Sequence, residues 1–255
     1  MQNSDIFQQY SKFAPYYQEV GQKRGLFEIQ ARFLHRIFSA NANKNCTILD
    51  SCCATADVLL NLSNHFPSYA LYGSDGCLDF ILRARENAKE KNIDLRHCEW
   101  LNLGNVFEAG KFDYICSLGN SIGHATSEYE FSEILKTVKR LLKEDGSFIF
   151  DLRTWHSYPS NHSFNEPYVN DKHICLSNGA EYSTEYHYDD QKHYLTHTIF
   201  KNGNFPDVIK IQLYYFDYSM QKIESMVQEN GLCIKKKFDN YDEYPFLSYQ
   251  VVRCK

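Results

Sequence analysis

From Asn45 to Leu152 short apolar runs alternate with stretches in which apolar residues recur at helical spacing. CTILDS (46–51) is β-branched and apolar and too short for a helix, whereas TADVLLNLSNHF (55–66) carries the helical period. YALYGSD (69–75) reads as a second strand, followed by a helix with Phe80, Ile81, Ala84 and Ala88 on one face. IDLRHCEWL (93–101) and FDYICSLG (112–119) read as a third and a fourth. A helix with Phe131, Ile134, Leu135, Val138, Leu141 and Leu142 on one stripe comes next, predicted to stop at the turn Glu144-Asp145-Gly146. GSFIFDL (146–152) is the fifth strand. Strands and helices alternating in this way predict right-handed βαβ crossovers and a mostly parallel sheet, with any ligand cleft at the carboxyl ends of the strands.

After Arg153 the texture changes. Residues 154–172 are polar and aromatic with two prolines, which predicts a loop or lid. From His173 to Asp217 polar and apolar residues alternate in EYSTEYHYDD, KHYLTHTIF and VIKIQLYYF. Turns at Asp189-Asp190-Gln191 and Asn202-Gly203-Asn204 make this an antiparallel meander. A helix over about 219–230, stopped by Gly231, precedes LCIKKKF and FLSYQVVRC, an antiparallel pair that finishes the main sheet. Lys235, Lys236 and Lys237 read as a solvated strand edge that discourages further pairing. Residues 1–44 are helical and rich in Tyr and Phe, a cover over the cleft. The expectation is one domain: cover 1–44, core 45–153, lid and insertion 154–217, and a final helix and strand pair 218–255.

Composition narrows the classes. At 255 residues, with 43% hydrophobic and 23% charged, the chain is globular and buries roughly 70–75% of its unfolded surface without needing disulfides or metal. A net charge of −5 argues against a nucleic-acid or anionic-membrane surface. No run approaches a membrane span, and MQNSDIFQQYSKF has neither the basic start nor the apolar centre of a signal peptide, so a cytoplasmic location is expected. Nine cysteines, none in CxxC spacing, read as free thiols in a reducing compartment, with Cys46, Cys116, Cys233 and Cys254 inside apolar strand-like runs. His193 and His197 have HxxxH spacing, but on an alternating strand with no third ligand in view, so no metal is expected.

The first βα junction runs Asp50-Ser51-Cys52-Cys53-Ala54-Thr55-Ala56. Against the pattern D-x-G-x-G-x-G, all three glycine positions are filled by small residues: Cys52, Ala54 and Ala56. A GxGxxG pyrophosphate cradle is absent, which counts against nicotinamide or flavin binding. Such residues are tolerated if the backbone there keeps φ negative. Asp75, at the end of the second strand, either accepts hydrogen bonds from a ribose or serves its own turn.

The segments TILDSCCATADVLL, LYGSDGCLDFILRAREN, HCEWLNL, FDYICSLGNSIGHA and LLKEDGSFIFDLRTW together resemble a class I S-adenosylmethionine-dependent methyltransferase, and more narrowly the glycine and sarcosine N-methyltransferases. Glu99-Trp100-Leu101, Leu118-Gly119-Asn120-Ser121 with His124, and Asp151-x-Arg153 are the most specific matches. The resemblance implies a Rossmann-like seven-stranded α/β sheet with a helical cover and an antiparallel β insertion after strand 5. It implies that Asp50, Cys52, Cys53 and Ala54 pass under the methionine and ribose, and that Asp75 holds the ribose hydroxyls. Glu99 and Trp100 would border the adenine, the Leu118 backbone would meet the methionine amino group, and His124 would lie beside the cofactor. Asn120 and Arg153 would face the acceptor, with Arg153 pairing a carboxylate. Tyr10 and Tyr17 either close over the cofactor or pack the helix, and the meander tyrosines, Tyr215 among them, either pack the sheet or cage the substrate.

The expected reaction is methyl transfer to a small polar acceptor with an anionic group, a glycine-like amine first, releasing S-adenosylhomocysteine. O-methylation on a sugar- or phosphate-type decoration is the rival, with His124, His156 or a tyrosine as base, and a cofactor-binding sensor without turnover is a third reading. The expected partner is the small acceptor; a homo-oligomer is allowed, but no pattern counts subunits.

Overall fold

The computed structural model describes residues 3–39, 45–125, 127–153, 168–188, 193–200, 208–216, 218–238 and 246–254. Helices α1 (Asn3–Lys23) and α2 (Leu26–Phe38) come first. The core then runs β1 (Thr47–Asp50), α3 (Asp57–His65), β2 (Ala70–Asp75), α4 (Leu78–Asn87) and β3 (Ile93–His97). After a helical turn at Trp100–Asn102 come α5 (Leu103–Val106), β4 (Phe112–Ser117), a second helical turn at Ser121–His124, α6 (Glu128–Leu141) and β5 (Leu142–Arg153). The insertion comprises β6 (Tyr168–Cys175), β7 (Glu181–Tyr188), β8 (His193–Phe200) and β9 (Val208–Tyr215). The chain closes with α7 (Met220–Glu229), β10 (Leu232–Phe238) and β11 (Phe246–Arg253).

The main sheet has seven strands in the order β10-β11-β5-β4-β1-β2-β3. β1 to β5 are parallel to one another, and β11 runs antiparallel to both β5 and β10. The chain winds outward from β1 in both directions, so the crevice between the carboxyl ends of β1 and β4 is the switch point where such sheets bind ligands. Period-2 alternation sends Ile115 to one face, against Phe131, Ile134 and Val138 of α6, and Tyr114 and Cys116 to the other, with Phe38 of α2 and Leu62 of α3. Full burial of each such side chain contributes about 1.5–3 kcal/mol relative to exposure. The insertion is a separate antiparallel sheet, β6-β7-β8-β9. Phe13 and Val20 of α1 pack on its Tyr182, Ile199, Ile211 and Leu213, while Tyr10 and Tyr17 turn toward Phe80 of α4. α1 thus joins insertion to core.

Four local expectations change. The stripe of α6 ends at Leu141, and Leu142, fully buried, already belongs to β5. Glu144-Asp145-Gly146 is therefore strand with an irregular register between Phe112 and Tyr114 rather than a helix-ending turn. A Cβ on Gly146 would lie 2.8 Å from the Phe112 carbonyl, so glycine serves a close approach of two backbones. β3 stops at His97, because the chain folds Trp100 back so that its indole N–H donates to the Ser51 carbonyl at 3.0 Å. β6 starts at Tyr168, inside the stretch read as lid; the rest of that stretch (154–167, with His156) and the predicted turns at 189–191 and 202–204 lie outside the described residues. Cys233 and Cys254 are joined as a disulfide rather than being free thiols: Cys233 stands opposite Val252 in the β10–β11 pair, and Cys254 is carried to a Cα separation of 5.1 Å. Among the described residues no helix is long and apolar enough to cross a membrane.

The glycine-free loop is also not what its side chains predict. Ala54 and Ala56 have φ of 43° and 65°, in the left-handed region that disfavours a Cβ by about 1–2 kcal/mol per residue. The loop keeps the backbone path of a glycine loop at a cost in strain. Ala54→Gly is therefore expected to stabilise the fold by up to about 1 kcal/mol after the extra unfolded-state entropy of glycine is subtracted, read as a shifted denaturant midpoint. A loss of stability would mean that methyl packing outweighs the strain. A second expectation concerns the thiols: unfolded without reductant, the protein should titrate seven free thiols, and all nine cysteines of the sequence after reduction.

Candidate active site

A cavity of about 460 Å³ opens at the carboxyl ends of β1, β2 and β4, walled by α1 on one side and the insertion on the other. That is within the range of small-molecule sites. Its floor is the β1 loop. The Ser51 N–H donates to the Cys116 carbonyl at 2.9 Å and the Cys53 N–H to the Ser74 carbonyl at 3.0 Å, which ties the loop to β4 and β2 together. Asp75 accepts the Ala54 N–H at 3.0 Å and the Cys77 N–H at 2.8 Å, one on each carboxylate oxygen. Asp75 thus organises its own turn and also faces the cavity. Burial pushes its pKa up to about 6 against the pull of those two N–H groups, leaving it largely ionised at neutral pH. Asp50, buried beside it, is pushed up to about 7 by burial, with the Cys52 N–H opposing and the Asp75 and Asp151 carboxylates adding to the rise.

Cys52 and Cys53 line the same floor, with the Cys52 thiol 2.7 Å from the Trp100 indole nitrogen and 3.4 Å from Ser117 Oγ. Burial pushes both thiols up, which makes them poor nucleophiles. Glu99, Trp100 and Leu118 border the cavity, and the Leu118 carbonyl accepts the Ser121 hydroxyl at 2.8 Å. Tyr17 lies over the opening, its ring 4.8 Å from Phe80. α1 is latched there by Gln18, whose Nε2 donates to Asp57 Oδ1 at 2.9 Å.

His124 is held on both nitrogens. Nδ1 lies 2.8 Å from the Tyr214 carbonyl, which can only accept, so Nδ1 carries the proton. Nε2 then accepts the Tyr10 hydroxyl at 2.7 Å. Burial lowers its pKa to about 4, so the ring is neutral at physiological pH and stacks on Tyr215 at 4.3 Å. Of the residues expected at the site, Asn120 alone does not line the cavity. It is 1% exposed, with φ of 63°, and its Oδ1 accepts the Arg153 backbone N–H at 2.8 Å. Its Nδ2 is buried with no hydrogen-bond partner, while the Asp151 carboxylate pulls the Gly119 and Asn120 N–H groups inward at 3.0 and 2.6 Å.

Arg153 does reach the cavity, its guanidinium over the rings of Tyr186 (5.2 Å) and Phe246 (4.8 Å). Arg24, which the sequence did not single out, shares this wall with Tyr186, one of the meander tyrosines, and with His197, weighed only as a metal ligand. Arg24 sits at the corner between α1 and α2, just before Gly25 with φ of 64°, and lines the cavity with Tyr182 and Tyr186, its charge favouring the ionised form of both phenols. A charged residue before a helix-breaking glycine was the available signal. His197 projects from β8 onto Phe13 at 4.9 Å and bonds the Tyr182 hydroxyl through Nδ1 at 2.7 Å. Burial, then Arg24 and Arg153, lower its pKa to about 3. Among the described residues, no three His, Cys, Asp or Glu stand close enough to hold a metal.

Residues 48–146 match the family described as "Methyltransferase domain". A glycine/sarcosine N-methyltransferase of Aphanothece halophytica is 31% identical over 97 residues, which is 35% of this chain and 36% of the relative. The match thus spans just over a third of that curated relative's length. Among solved structures, an S-adenosylmethionine-dependent methyltransferase from Clostridium acetobutylicum superposes with a TM-score of 0.76 at 20% identity, covering 96% of this chain and 99% of that one. A sugar N-methyltransferase from Streptoalloteichus gives 0.72 at 16% identity, covering 94% and 93%. The strand order, the β1 loop and these likenesses meet in one conclusion: residues 48–146 match a methyltransferase domain, and the chain has the Rossmann-like fold seen in S-adenosylmethionine-dependent methyltransferases.

Proposed function

We propose that the protein transfers a methyl group from S-adenosylmethionine to the amine of a small acceptor bearing a carboxylate, a glycine-like amino acid, with cover, core and insertion acting as one unit. The observation that carries the acceptor reading is Arg153, whose guanidinium lies over two aromatic rings on the cavity wall. A planar guanidinium on a cavity wall is matched by a carboxylate in bidentate fashion.

The residues present fit the cofactor. Asp75 offers an ionised carboxylate for ribose hydroxyls, and Trp100 and Glu99 offer a flat face and an acceptor for the adenine. Arg24, which lines the same cavity, offers a second guanidinium for the methionine carboxylate, so two anions meet two cations in one cavity. When bound, S-adenosylmethionine supplies a sulfonium methyl that is already electrophilic. The protein's own work is alignment and exclusion of water. Tyr10 and Tyr17 close the cavity from α1, and the locked tautomer of His124 holds the Tyr10 hydroxyl in place. The partial identity to a glycine/sarcosine enzyme supports the amine reading, and mass spectrometry of a panel of amino acids, amino sugars and hydroxylated acceptors tests it. An N-methyl amino acid together with S-adenosylhomocysteine is the expected product pair; methylation of hydroxyl acceptors alone would overturn the amine reading.

Asp75→Ala should weaken S-adenosylmethionine binding by about 1.5–3 kcal/mol in titration calorimetry, the range for hydrogen bonds to a charged group. Unchanged affinity would remove Asp75 from the ribose. Arg153→Ala should lower kcat/KM for the amino-acid acceptor by about 2–4 kcal/mol with cofactor affinity little altered. Arg153→Lys should also be impaired, because the charge remains but the planar fork is lost. Normal methylation by Arg153→Ala would refute the anion anchor.

A further inference from the structure

One face of the insertion sheet meets the cavity. Register sets Thr184 of β7 opposite His197 of β8, and Tyr186 opposite Leu195, so Tyr182, Thr184 and Tyr186 share a face with Leu195 and His197. His197 is 6% exposed, yet it lines the cavity, its ring stacked on Phe13 of α1 at 4.9 Å. Its diagonal neighbour on that face, Tyr186, lies under the Arg153 guanidinium. Imidazole and guanidinium therefore stand on one wall.

The proton on this imidazole is placed by a buried chain of hydroxyls. The Thr184 hydroxyl donates to Tyr182 Oη at 2.5 Å, and Tyr182 Oη lies 2.7 Å from His197 Nδ1. Thr184 Oγ1 is also 3.2 Å from Nδ1, but its proton is already directed at Tyr182. With Nδ1 protonated, the Tyr182 hydroxyl would be a buried donor facing another donor, a costly arrangement. Nδ1 therefore accepts from Tyr182, and Nε2 carries the hydrogen. Burial first, then Arg24 and Arg153, hold the ring uncharged at neutral pH. Nδ1 is the nitrogen that meets the protein, and the Nε2 edge is left for the cavity. A neutral donor with a fixed tautomer, set beside a fixed cation, suits an anionic acceptor atom of a ligand.

We propose that the His197 Nε2–H donates to the carboxylate of the methyl acceptor and, together with Arg153, selects it. This rests on the carboxylate-bearing acceptor proposed above. A carboxylate has roughly four lone-pair sites, so a bidentate guanidinium fills two and leaves room for a further donor. Neither the guanidinium nor Nε2–H has a lone pair to offer, so this wall cannot receive the acceptor's ammonium. The acceptor binds one way round, carboxylate toward the insertion and nitrogen away from it. Tyr182 and Thr184 are positioning residues that act through the imidazole.

Acetate is the probe, since it carries the carboxylate without the amine. In calorimetry on protein loaded with S-adenosylhomocysteine, His197→Phe keeps a flat ring against Phe13 and should weaken acetate binding about tenfold or more, as for a lost hydrogen bond to a charged group. His197→Gln, whose amide offers an N–H near the place of Nε2–H, should recover most of that loss. S-adenosylmethionine affinity should be unchanged in both. In turnover with glycine, His197→Phe should raise KM by a similar factor with little change in kcat, while ethylamine, which has no carboxylate, should not distinguish it from wild type. Heteronuclear NMR of the histidine rings should find the His197 proton on Nε2, and Tyr182→Phe should spread it over both nitrogens. Unchanged acetate affinity in folded His197→Phe, a loss of S-adenosylmethionine affinity in its place, or a proton on Nδ1 in wild type would each overturn the assignment and leave the proposed function standing. Acetate held through His197 in a protein that methylates no amine would uphold the carboxylate donor and overturn the amine reading alone.

Discussion

The site depends on one buried carboxylate. Asp151, 0% exposed at the end of β5, draws in the Gly119 and Asn120 N–H groups from the end of β4. A buried anion is tolerated only when its oxygens are satisfied, so the β4 turn has little choice of path. That path forces Asn120 into the left-handed region and brings its side chain under the Arg153 backbone. The guanidinium therefore leaves the sheet in a set direction, toward Tyr186 and Phe246. The same turn aligns the segment that ends at His124, whose ring is then gripped by Tyr10 and the Tyr214 carbonyl.

Asp75 performs the corresponding task on the other side of β1. Together the two acids form a frame of charge-assisted hydrogen bonds from β2 across to β5. Between them lies a loop built without glycine, and the frame explains how it can be. Asp75 holds the Ala54 N–H, so the strained conformation is imposed by surrounding bonds rather than by the preferences of the residue.

The alternating core was readable from the chain because hydrophobic period and strand length decide it locally: Thr47–Asp50, Ala70–Asp75 and Phe112–Ser117 fall within the runs that predict them. The antiparallel meander was readable for the same reason. Most cavity residues were legible as well, since motif position at a strand end carries them. What was not legible depends on distant contacts. The bond of Asn120 Oδ1 to the Arg153 backbone N–H, thirty-three residues on, is one such contact. Arg24 and Tyr186 sit in segments whose patterns speak only of helix and strand, and they become site residues because α1 and β7 are folded onto one cavity. The Cys233–Cys254 bond likewise follows from the register of two strands, which composition does not encode.

α1 supplies Tyr10 and Tyr17 to the core side of the cavity and Phe13 and Val20 to the insertion side. One helix therefore walls both halves. Detaching it means giving up the bonds of Gln18 to Asp57 and of Tyr10 to His124 along with its aromatic contacts. Among the described residues the core side and the insertion side of the cavity thus share one wall, and any displacement of that helix widens the cavity toward both at once.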